Sequence, residues 1–485
     1  MRVDLGDDRG RRRIDRSAAA VAQARQDVAG WLGARSGDPR FARFDNHLTV
    51  LGTVLGRMLD ALAGRLDDLR TAAGVGAAYD GCRAVDTVLT VVRRTFDWYR
   101  ERYDQRLDER LGPVLLAADE VVRSCWAPPF AALGRPAPTG PLAYVDPRFN
   151  AFALTRAAVP SQLRPPARTD AVGDAVRALL GELPIPTIAL PEWSTREAWW
   201  LALAAHETGH HLQRDLAPDL AERTREALAA AVGGPGAAAG LPGERAELAG
   251  QWVAWQAELF ADAFAAVMVA DAAVWTVDEL EHGGSARLAG GARPGSPYPP
   301  ALVRRALLAE LTRRVRGGPA EPFEGGAEEV RRHLAVVPAV AAALLALPVG
   351  GTTLLGLGRV DPGWYAARGR VASWAAALRR DPVPITSPAR RTPPAARLAV
   401  QAGIAAATTV APAALADVHR RLVELLRGCG PDGVLAAPPI PPGDLAAVAD
   451  RLTGRLLGDP LLQELPESAV DGAPDLAAVA PCPPP

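Results

Sequence analysis

The sequence predicts an α+β fold in which helix predominates, and three observations predict it. Apolar residues recur at three- and four-residue spacing from about residue 13 to 126, and the stretch beyond about 320 reads the same way. Only short strand-like runs interrupt this pattern, between about 142 and 190. Two strongly apolar segments, about Thr195 to Leu212 and Glu244 to Trp275, read as packed helices.

The first region, 1–130, is expected to form a helical bundle. Leu48, Val50, Leu51, Val54, Leu55, Met58 and Leu62 lie at helical spacing with Arg and Asp between them. A second pattern runs from Val85 through Val91, Val92, Phe96 and Tyr99 towards Leu107. Such a bundle could bind a protein partner, cover a cleft or only stabilise the fold. The proline-rich stretch from Ala127 to Pro141 reads as a linker. Strand-like segments follow at Leu142 to Val145, Phe149 to Thr155 and Pro184 to Leu190, and 131–320 is expected to be one domain. Ser194 and Glu197 have the spacing of a capping box ahead of the first apolar helix. Residues 321–465 read as a further helical region, and the Pro/Ala-rich tail, 466–485, as disordered. Leu334 to Gly358 carries no charge and is long enough to cross a bilayer, but Pro338, Pro348, Gly350, Gly351, Thr352 and Thr353 interrupt it. A buried helix followed by a turn is expected there.

Composition removes several functions. Apolar residues make up 49% and charged residues 22% of the 485, as in a folded soluble protein, and the net charge of −1 offers no field for nucleic acid or membrane. All 54 basic residues are arginine, which excludes a phosphate loop ending in Gly-Lys, a lysine Schiff base and a Ser-x-x-Lys acyl enzyme. Cys82, Cys125, Cys429 and Cys482 are scattered without metal-ligand spacing, as suits a reducing cytoplasm. The charged N-terminus has no apolar core of a secretory signal, so a cytoplasmic location is expected.

The chemistry concentrates in the two apolar helices. His206-Glu207-Thr208-Gly209-His210 is an H-E-x-x-H pattern preceded by seven apolar residues. Helical spacing puts His206 and His210 one turn apart on one face, where both imidazoles reach a single ion, with Glu207 beside them to activate water. Between Trp252 and Ala270 the only polar side chains are Gln256, Glu258 and Asp262. Two carboxylates in so apolar a helix need compensation. One Zn2+ ion accounts for both, with Glu258 as third ligand and Asp262 as the acceptor that orients a ligating imidazole.

This arrangement resembles the gluzincins, the thermolysin-like zinc peptidases, in which H-E-x-x-H is followed by a glutamate and an aspartate four residues on. The gap from His210 to Glu258 is 48 residues (258 − 210). Tyr298-Pro299-Pro300 with Arg304 begins 40 residues past Glu258 (298 − 258) and is similar to the His-Pro-Pro…Arg segment of the CAAX-prenyl endopeptidase and heat-shock membrane-protease family, whose membrane helices are missing here. The resemblance covers about 183 to 310. It implies a zincin-like core and a zinc-dependent metalloendopeptidase that hydrolyses a peptide or protein substrate, with metal-activated water and Glu207 as general base. It also implies that Tyr298 stands where a transition-state-stabilising histidine would and that Arg304 supports the cleft. Tyrosine in place of histidine is a departure, and a Tyr packed on two prolines is an equally good structural reading. A second reading stays open: a zinc-binding regulatory protein with little activity, its helical flanks serving as partner surfaces.

Pro184 to Leu190 is a candidate edge for a substrate strand. His211, about 100° around the helix from His210, is expected at the surface or behind the ligands. His282 reads as a loop histidine, and His47, His333 and His419 as structural.

Overall fold

The computed structural model describes residues 5–72, 74–146, 152–154, 171–234, 243–281, 290–291, 296–317, 326–358, 368–380, 395–430, 438–459 and 462. These are predominantly helical, as the periodicity predicts, with few and short strands. His282, Cys482 and the 466–485 tail lie outside the described residues.

In chain order, the long helices α1 (Leu5–Arg35), α2 (Asp45–Ala72) and α3 (Val75–Asp104) precede α4 (Leu111–Ala132). Strands β1 (Leu142–Asp146) and β2 (Phe152–Leu154) come next, then α5 (Ala171–Glu182) and β3 (Thr187–Pro191). The helices α6 (Leu203–Asp215), α7 (Leu220–Gly233), α8 (Gly243–Ala254), α9 (Gln256–Val269) and α10 (Asp271–Glu281) follow. Beyond them lie α11 (Ala301–Arg316), α12 (Glu328–Ala346), α13 (Ala395–Ala407), α14 (Leu415–Arg427) and α15 (Pro442–Gly458).

The chain divides into two compact units, one of Met1–Glu101, Arg156–Ile185 and Pro439–Pro485, the other of Arg102–Thr155 and Pro186–Pro438. In the first, Leu51, Val54, Leu55, Met58 and Leu62 of α2 are fully buried, so the periodic positions read from the sequence are its core. These units cut the chain differently from the expected segments. The buried face of α4, from Val114 through Val121 to Trp126, joins the same core as α6, α9 and α12, so this helix belongs to the second unit. The helices from α12 to α14 belong there too, while α15 belongs to the first unit.

Several local expectations are corrected. The expected linker begins as helix, because α4 continues through Pro128 and Pro129 to Ala132. The capping box does not form. Residues Glu192–Thr195 are a 3-10 turn, and Glu197 instead accepts a hydrogen bond from Trp200 Nε1 at 2.9 Å. Ala198–Ala202 is likewise 3-10, and α6 begins only at Leu203. The second apolar segment is three helices rather than one. It bends by 64° between α8 and α9, and breaks again at Ala270, whose φ of 48° lies in the left-handed region.

In the three-stranded sheet the order is β1-β3-β2, with β1 parallel and β2 antiparallel to β3. The central place of β3 overturns the expectation that Pro184 to Leu190 offers an edge, since both of its sides are paired. The uncharged stretch after Leu334 is α12 followed by a tight hairpin, Pro348–Val349 against Thr352–Thr353, as expected. Among the described residues no single helix is long and apolar enough to cross a membrane; α8 and α9 would reach that length only jointly, across their bend.

Candidate metal centre

Helix α6 can approach α9 closely because Gly209 has no side chain. A Cβ there would lie 2.9 Å from Ala261 Cα and 3.2 Å from Phe264 Cβ. Glu258 and Asp262 lie one turn before and one residue after Ala261, so the contact that Gly209 permits carries both carboxylates to the His206–His210 face. The expected residues do converge.

His206 Nε2 lies 3.1 Å from His210 Nε2 and 3.2 Å from Glu258 Oε2, and His210 Nε2 lies 3.6 Å from Glu258 Oε1. All three residues offer ligand atoms within 4.8 Å of one another. Ligands about 2.0–2.1 Å from a tetrahedral metal are separated by about 1.6 times that length, roughly 3.3 Å. The observed spacings bracket this value, and the group could hold a metal ion. Glu258 Oε2 is buried with only the His206 ring nitrogen at 3.2 Å and the Arg304 guanidinium at 4.0 Å near it, and an ion in this place would engage it. The three side chains are only 12%, 15% and 13% exposed, enough to open on a cleft but not to be solvated freely.

Behind the ligands, His206 Nδ1 donates to Asp262 Oδ1 at 2.9 Å, which leaves Nε2 directed at the other two groups. Asp262 is held in turn by Arg304, through Nε to Oδ2 and Nη2 to Oδ1, both at 2.8 Å. Arg304 Nη1 also lies 3.7 Å from Glu281. The guanidinium is therefore spent on carboxylates, and it positions Asp262 rather than reaching into open space.

The electrostatics follow from this packing. Burial would lower the His206 pKa, but hydrogen bonds to Asp262 and Glu258 outweigh it and push it up to about 10. Burial would raise Glu258, yet the charge of His210 and hydrogen bonds from both imidazoles hold it far below the usual carboxylate range. Asp262 is likewise opposed by burial, but Arg304 holds it at about 2. Glu207, 4% exposed, is raised by burial against the pull of the two histidines. The cluster gathers negative charge around two imidazole nitrogens, a donor set that favours a cation.

A cleft of about 290 Å³ opens over the site, with His206, Glu207, Asp262 and Arg304 on its polar side and Leu203 and Val277 among its apolar walls. Tyr298 lines it too, 41% exposed, with the Arg304 Cζ 4.8 Å from its ring centroid. Burial and the nearby Glu258 carboxylate keep its phenol protonated to higher pH than usual.

Two residues do more than the sequence suggested. His211 is neither at the surface nor behind the ligands: it is fully buried, and its Nε2 lies 3.0 Å from the Thr187 carbonyl, tying α6 to β3. The absence of any polar face on the residues leading into α6 was the available sign that every side of this helix is covered. His419 accepts a hydrogen bond from the Ala198 amide at 3.0 Å and so anchors the turn that leads into α6; nothing in its own sequence surroundings indicated this. No family model matches the chain, and neither a curated protein nor a solved structure matches it.

Proposed function

We propose that this protein is a zinc-dependent metalloendopeptidase with a zincin-like core, acting on peptide or protein substrates. The observation that carries the reading is the convergence of His206, His210 and Glu258 within reach of one metal ion, beside a cleft that His206 and Glu207 line. Zinc held by these three residues would supply an acidified water and polarise the scissile carbonyl.

The remaining roles belong to the chain's own groups. Glu207 takes the proton of the attacking water and returns it to the leaving amine; burial suits it to both tasks by raising its proton affinity. Asp262 fixes the His206 tautomer, and Arg304 fixes Asp262. Tyr298 would donate a hydrogen bond to a developing oxyanion, a role supported by its half-exposed position in the cleft wall. Three buried free cysteines fit a reducing compartment and support a cytoplasmic location.

The test pairs metal analysis with peptidase assays on unfolded proteins. Wild type is expected to bind one zinc and cleave. Glu207→Gln is expected to bind zinc equally and lose activity by about 10²–10⁴-fold. If both versions hold zinc and are equally inert, the site is a binding centre of a regulatory protein. If neither holds zinc, the proposal fails.

A further inference from the structure

His333 is fully buried on α12, and neither of its ring nitrogens has a hydrogen-bond partner. Its ring lies 5.9 Å from that of Trp252 and 5.2 Å from that of Trp255, centroid to centroid. Trp252 is also fully buried, and its Nε1 is likewise without a partner. Leaving such groups unpaired is costly, so an apolar ring would fill this space more favourably. The position matters as well as the environment. Trp252 lies near the end of α8 and Trp255 is the junction residue at which the chain bends by 64° into α9. Glu258 stands in the first turn of α9, three residues beyond Trp255.

We propose that His333 is an acid-sensitive latch: in its neutral form it seals the α8–α9 junction, and taking up a proton releases that junction and loosens the hold of Glu258 on a bound metal. An imidazolium here has no hydrogen-bond acceptor at either ring nitrogen, and its one counter-charge, Glu329, is opposed by Arg332, so it must leave the box to be solvated. The charges that act on the ring are Glu329 and Arg332, both on its own helix and opposed in sign; α7, α9 and α11, which pack against α12, bring none, nor do Trp252 and Trp255. Burial is the larger influence and disfavours the protonated form. The sign follows. A histidine harder to protonate in the folded state than its unfolded value of about 6.5 contributes stability that is complete above that pH and is lost as the pH falls below it. The linkage is bounded by the unfolded group alone, at up to about 30-fold in the opening equilibrium between pH 7.5 and 5.0.

The coupling to metal retention rests on the metal-site reading, and the experiment separates the two. Wild type, His333→Phe and His333→Leu are compared at pH 7.5 and 5.0 by urea unfolding and by the rate of zinc release to a chelating dye. Acid acts on the zinc-holding group itself in all three proteins alike, so the comparison between them isolates His333. Wild type is expected to gain several-fold more in release rate than either variant, up to the 30-fold limit, and its unfolding midpoint to fall further. Parallel release profiles in wild type and whichever variant folds overturn the proposal. If wild type holds no zinc at pH 7.5, the metal reading fails on its own, and the unfolding profiles decide the latch: divergence supports it and parallel curves overturn it.

Discussion

Arg304 grips both oxygens of Asp262, each at 2.8 Å, while the Asp262 Oδ1 also receives the His206 Nδ1–H at 2.9 Å. The pair is buried, with side chains 7% and 1% exposed. Breaking one side of such a pair is expected to be worse than removing both. Arg304→Met should destabilise the fold by about 3–5 kcal/mol, and Asp262→Leu with Arg304→Met should recover much of that loss, as read by urea unfolding. Asp262→Asn should lower zinc affinity by about 10–100-fold in a competition titration, because the carboxamide cannot satisfy His206 and Arg304 together.

Removing Glu258, the proposed third ligand, tests the metal reading directly. Glu258→Ala is expected to purify without stoichiometric zinc. Zinc at 100 times its Kd should stabilise wild type by about 2.7 kcal/mol. The variant's melting temperature should not respond to added zinc or to chelator.

The close approach of α6 and α9 makes a prediction of opposite signs at two glycines. Gly250, exposed in α8 with open space around its missing Cβ, should gain about 0.5–1 kcal/mol on substitution by Ala, from helix propensity. Gly209→Ala should lose stability, because its new Cβ would press on the Ala261 backbone at 2.9 Å and overpacking costs about 1–3 kcal/mol. A destabilised Gly250→Ala together with a stabilised Gly209→Ala in thermal melts would refute the packing argument.

His211→Leu leaves an apolar side chain of similar size and removes the donor to the buried Thr187. The loss of this buried hydrogen bond should cost about 0.5–1.5 kcal/mol in urea unfolding, with zinc stoichiometry retained.

The sequence was informative wherever a residue's type conflicted with its surroundings. Glu258 and Asp262 are conspicuous among Trp, Leu, Phe and Ala, and His206 and His210 follow seven apolar residues, so their convergence was legible before any coordinates. The helical core was legible in the same way, since Leu51, Leu55, Met58 and Leu62 carry the period in themselves. Capping was not. Ser194 and Glu197 have the spacing of a box, but the chain there adopts 3-10 turns, and Glu197 is drawn to the Trp200 indole. Nor was the place of β3, because strand order depends on which segments return to pair with it and not on its own residues.

Spacing along one helix is fixed by covalent geometry and by 3.6 residues per turn, so the pairing of His206 with His210, and of Glu258 with Asp262, belongs to the sequence alone. What lies across the gap between helices is settled by how closely two backbones pack and at what angle. The missing side chain of Gly209, the 64° bend at Trp255 and the reach of Arg304 from α11 set those distances, and each takes its meaning from a partner far away in the chain. Local periodicity therefore named the groups, and long-range packing decided which of them meet.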